Sequence, residues 1–209
     1  MAATITLLVV LSYLLAFSTK DALTQQIVLA FSSSMIIAVL LFAVKRTGTP
    51  ARRYFAFVRP PLLTVIVLVA ASILIQFVGD WSTNFVGVGP KDSQWELDEY
   101  RSIQNSSLAL LLFWLSALFI SPLMEEMLFR GFLFRGWSAS RLGPAVTIIV
   151  TSLLFALVHV QYTWHGMAVV GLIGLSFALA RWQSGSIVPS LIAHCAGNAV
   201  ALTAAALAV

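Results

Sequence analysis

At 209 residues, 60% hydrophobic and only 10% charged, with a mean hydropathy of +0.96, the chain is too apolar for an ordinary soluble domain. Its formal net charge of +4 is modest and its basic residues are scattered over loops, so no nucleic-acid partner is expected. The one cysteine, Cys195, rules out an intrachain disulfide.

In chain order, seven apolar segments stand near 2–17, 26–44, 61–79, 107–137, 144–160, 166–180 and 186–208. Most approach the length that carries a helix across ~30 Å of hydrocarbon, and none alternates apolar with polar as barrel strands do. The expected fold is all-α: a polytopic membrane helix bundle of about seven transmembrane helices, forming one domain over residues 1–209. Within it, 1–105 would hold the first three helices and an outer loop, and 106–209 the catalytic helices. Segment 2–17 has no basic leader and no clear small-residue cleavage site, so a retained first helix is expected there.

Charge orients this bundle, because short basic loops stay on the cytoplasmic side. Lys45, Arg46, Arg52, Arg53 and Arg59 crowd the loop after the second segment, whereas Asp80, Asp92, Glu96, Asp98 and Glu99 dominate the next. Alternation then gives the N-terminus in and the C-terminus out, in a multi-pass protein of a cell membrane. The stretch 51–58 mixes Arg52 and Arg53 with Tyr54, Phe55 and Phe57, and reads either as a strip in the headgroup layer or as a solvated basic loop. The acidic outer loop reads as soluble surface, and His165 as an ordinary surface residue.

Ionisable groups inside a bilayer are costly and point to function. Four segments are clean or nearly so. The fourth carries Glu125, Glu126 and Arg130, the fifth ends in His159, and the seventh carries His194 and Asn198. At ~1.5 Å per residue these groups converge near mid-membrane, provided that the fourth helix runs through Pro122 to Trp137 rather than stopping at Phe129. Glu126 and Arg130, four apart, are placed to pair. Glu125 points about 100° away and, near His159, could serve as a general base. His194 and Asn198, also four apart, project the same way and could hold a developing oxyanion. Gly171 and Gly174, with Ser176, would allow close helix packing.

Glu-Glu-x-x-x-Arg at 125–130, Phe-x-x-x-His at 155–159 and His-x-x-x-Asn at 194–198 together resemble the CAAX protease and bacteriocin-processing family, also called CPBP or Abi. Arg130-Gly131-Phe132 and the Gly-Ser-Ile-x-Pro-Ser run from Gly185 fit the same pattern. The resemblance implies a metal-independent glutamate intramembrane protease without cofactor. In it Glu125 and His159 would activate water, His194 and Asn198 would hold the oxyanion, and Glu126 with Arg130 would position the first glutamate. Its partners would be the lipid bilayer and a peptide or membrane-protein substrate, lipidated in some members. Competing readings are a metal-dependent hydrolase, which lacks a His-Glu-x-x-His or Glu-x-x-His pair, and a non-catalytic scaffold or immunity protein. The cavity is expected to open to the cytoplasmic side.

Overall fold

A computed structural model describes residues 18, 21–86 and 91–209. The apolar segment 2–17 lies outside the described residues. Eight helices account for nearly all the rest: α1 (Ala22–Lys45), α2 (Ala51–Tyr54), α3 (Leu62–Val86), α4 (Lys91–Ile103), α5 (Ser107–Ser138), α6 (Gly143–Leu157), α7 (Trp164–Ser184) and α8 (Val188–Leu207). Among the described residues α1, α5, α7, α8 and the Leu62–Gly79 part of α3 are long and apolar enough to cross a membrane. α6 is shorter, about 22 Å at 1.5 Å per residue. The chain is thus an all-helical, multi-pass membrane protein.

Local chemistry sets the boundaries. Asp21 caps α1 by accepting from the Thr24 amide, Ser106 caps α5 through the Ala109 amide, and Thr163 caps α7 through the Gly166 amide. Gly185 ends α7 in the left-handed conformation, with φ 66°, that a Cβ would strain. Pro residues open α6 and α8, where a missing N–H costs nothing.

α5 holds to the end of its apolar segment but is not a uniform α-helix. Ser116–Ile120 and Met127–Leu133 are wound as π-helix. In the first, the Ser121 amide bonds Ser116 O, five residues back, so Ala117 O is released from its usual partner. Pro122, with no N–H, follows at once. In the second, the Phe134 amide reaches back to Phe129 O, which releases Arg130 O. Side chains from other helices take up both carbonyls: Asn198 Nδ2 donates to Ala117 O at 2.8 Å, and Arg181 Nε to Arg130 O at 3.0 Å. These cross-helix bonds satisfy backbone groups that lipid cannot.

Two stretches depart from the sequence reading. The acidic loop contains α4, whose Trp95, Glu99 and Ile103 recur every four residues on the side that meets the bundle. Glu99 accepts from the amides of Gln25 and Gln26 on α1, and its burial there raises its carboxyl above the ordinary glutamate range, those two donors opposing the shift. The basic stretch after α1 is neither headgroup strip nor solvated loop throughout. Arg52 and Arg53 stay exposed, but Phe55 is fully buried and plugs that end of the core. Gly131 makes room for it, since a Cβ there would come within 2.6 Å of Phe55 Cδ1.

Candidate active site

The site is assembled from four helices: the π-wound centre of α5, the C-terminal exit of α6, the first half of α8, and the flank of α7. Glu125 and Glu126 are buried at the join between α-helical and π-helical turns of α5. Arg130, a turn later, is fully buried. Its Nη1 donates to Glu126 Oε1 at 3.0 Å and its Nη2 to Gly174 O at 2.9 Å, while its guanidinium lies 4.3 Å from the Phe155 ring centroid. A cation in hydrocarbon thus gains a carboxylate, a carbonyl and an aromatic face. Gly174 permits this approach: a Cβ would stand 2.9 Å from Phe155 Cδ1 and 3.2 Å from Arg130 Nη2.

His159 follows the last turn of α6. Its Nδ1 donates to Phe155 O at 2.6 Å, because a carbonyl can only accept. In the neutral ring Nε2 therefore carries the lone pair, and it faces Glu125 Oε2 at 4.0 Å. His194 on α8 stands between both acids, with Nε2 3.7 Å from Glu125 Oε2 and Nδ1 3.3 Å from Glu126 Oε1. Asn198, one turn on, faces the same cavity while one of its amide hydrogens is held by Ala117 O. All six residues singled out in the sequence meet in one cluster. Among the described residues no group of three or more His, Cys, Asp or Glu has the arrangement to hold a metal ion.

A cavity of about 830 Å³, counted with its open mouth, has Glu125, His159, His194 and Asn198 in its wall. Its lining continues through Gln26, Trp95, Gln161 and Tyr162, at the bundle end that carries α4 and opposite the basic stretch after α1. A neighbouring pocket reaches the same histidines past Gln76 and Gly197. Gln26 and Gln76, not singled out in the sequence, are amides in otherwise apolar segments, and that polarity was their signal. Sequence reading also left His165 on the surface, whereas its Nε2 meets Ser82 Oγ at 3.1 Å and ties the start of α7 to the end of α3.

A multi-pass helical protein that turns one carboxylate, two imidazoles and an amide onto one cavity, with a second carboxylate buried behind His194, carries the groups a hydrolase uses. Residues 107–200 match the family model described as type II CAAX prenyl endopeptidase, Rce1-like. Over that stretch, which runs from the start of α5 to just past Asn198 and covers just under half of the chain, the sequence is similar to CAAX protease-type peptidases, in agreement with the resemblance its motifs carry. No curated protein matches the chain, and no solved structure does.

Proposed function

We propose that this chain is a metal-independent glutamate endopeptidase that cleaves a peptide or membrane-protein substrate within a bacterial inner membrane. The observation that carries this reading is the facing of Glu125 Oε2 and His159 Nε2 across 4.0 Å on the cavity wall. The gap is too wide for a direct hydrogen bond and suits a water molecule that donates to both acceptors. The water oxygen then attacks the peptide carbonyl carbon while Glu125 takes its proton. Charge gathers on the carbonyl oxygen. The second amide hydrogen of Asn198 and, when His194 carries both ring protons, its Nε2–H are the donors for that oxyanion. As the C–N bond breaks, Glu125 returns the proton to the leaving amine. Glu126 and Arg130 act indirectly: the guanidinium fixes Glu126, and Glu126 fixes the His194 ring. Arg130 already occupies Glu126, which argues against the metal-dependent alternative.

Orientation bears on where substrate enters. If the basic stretch after α1 is cytoplasmic, with the N-terminus in and the C-terminus out, the cavity mouth faces the opposite side. A cytoplasmic mouth and that orientation are therefore incompatible in this fold, and we take the charge-based orientation. Cysteine accessibility mapping at Arg53 and at Asp98, both exposed, decides between them.

The test is turnover by the purified protein in lipid nanodiscs, on capped apolar peptides in ¹⁸O-labelled water. The proposal expects one heavy oxygen at each new C-terminus, activity that resists chelators, and none from Glu125→Gln. Cleavage that survives Glu125→Gln, or that a chelator abolishes, would overturn it.

A further inference from the structure

The cavity wall extends beyond the groups that hydrolysis needs, and three polar atoms in this further part of the lining, called here the arm, share one chemistry. Gln26 is 1% exposed and Ser116 4% exposed, and both line the cavity. Gln26 Oε1, Ser116 Oγ and Gln161 Oε1 are buried with no hydrogen-bond partner among the described residues. The orientation of the Gln26 amide follows from its neighbour: its NH₂ faces the Glu99 carboxylate, so its carbonyl oxygen is turned away. Ser116 opens the first π-helical stretch of α5, next to the carbonyl that Asn198 holds. The same wall carries the apolar side chains of Leu29, Phe113, Ala201 and Leu202.

Unpartnered buried polar atoms are expensive, on the order of 1–3 kcal/mol each, and on a cavity wall they are retained where a ligand, or the water it displaces, pairs with them. Here two of the three accept only, and the third can accept. Glu99, by accepting from the Gln26 NH₂, keeps that donor turned away.

We infer that this arm is a subsite for the backbone N–H groups of an extended, apolar, uncharged peptide segment, and that it excludes a free carboxylate. The inference rests on the peptidase reading for its substrate class. It adds that the substrate enters this arm as a continuing chain: amide hydrogens meet Gln26, Ser116 and Gln161, and apolar side chains meet the leucines and Phe113. A C-terminal carboxylate placed there would set its oxygens against two carbonyl oxygens, with the Ser116 hydroxyl as the one donor among the three groups.

Binding to the Glu125→Gln protein in nanodiscs tests this, read by fluorescence anisotropy with labelled heptapeptides of Ala, Leu and Val. Three probe sets are compared: peptides with both ends capped, the same peptides with a free C-terminal carboxylate, and capped peptides with one backbone nitrogen methylated at each position in turn. Capped peptides should bind at least about tenfold tighter than free acids, and methylation at one or two positions should weaken binding by about fivefold, the worth of one lost hydrogen bond. In Ser116→Ala and Gln161→Met the methylation effect should shrink below about twofold. Neither variant should lower the melting temperature, because each deletes an atom that is unpaired without ligand. No binding by capped peptides, a flat methylation scan, equal binding of free acids, or destabilised variants would overturn the subsite. If the wild type binds capped peptides but never cleaves them, the peptidase reading fails while the subsite stands; if it cleaves them with a flat scan, the reverse holds.

Discussion

Replacing Arg130 by Met probes the element on which the site's geometry depends. Arg130 is wholly buried and holds Glu126 at 3.0 Å and Gly174 O at 2.9 Å. Methionine fills much of its volume but leaves the Glu126 carboxylate in a low-dielectric interior with His194 as its remaining ring partner, at 3.3 Å. Breaking a buried pair from one side costs about 3–5 kcal/mol, and losing the guanidinium over Phe155 adds about 1 kcal/mol or more. The two overlap, so an overall loss of about 4 kcal/mol is expected. The assay is unfolding free energy in bicelles by steric trapping. Glu126→Gln combined with Arg130→Met removes the stranded charge as well, and should recover about half of the loss. A single-variant cost below about 1 kcal/mol, or a double variant no better than the single, would refute the idea that this pair anchors the centre of α5.

Gly174→Ala drives a methyl against Phe155 and the Arg130 guanidinium; destabilisation of about 1–3 kcal/mol is expected in the same assay. Asn198→Ala removes an oxyanion donor and frees Ala117 O, so kcat should fall by about 100-fold with KM little changed in steady-state cleavage. Glu99 gives a pH dependence. Its carboxyl is raised by burial, so the folded state binds this proton more tightly than the unfolded one. Docking of α4 is then strongest below the ordinary glutamate range and weakens as pH rises through the raised value. Hydrogen exchange of α4 amides should quicken over that window, and Glu99→Gln should flatten the profile.

The membrane class and the polar cluster were legible because each rests on a local rule. Long apolar blocks make spanning helices, and charged or imidazole groups inside them demand partners. Spacing alone placed Glu126 beside Arg130, and His194 on the same face as Asn198. What escaped depended on contacts remote in sequence. Hydropathy does not register a change from α to π winding, so the release of Ala117 O and Arg130 O, and their capture by Asn198 and Arg181, had no sequence signal. α4 hid because its mean composition is polar, and only Trp95, Glu99 and Ile103 mark its bundle side. Phe55 reads as a headgroup aromatic until the gap over Gly131 is seen. Gln26 and Gln76 each look like a tolerated single polar group until other helices bring them to the cavity wall.

The most direct test of the central claim compares the membrane peptidomes of cells that differ only in carrying the wild-type chain or Glu125→Gln at equal abundance. If Glu125 activates the water, a defined set of cleavage products appears with the wild type and vanishes with the variant, with the uncut precursors accumulating. Identical peptidomes would contradict it, and would leave the buried cluster with a structural or binding role.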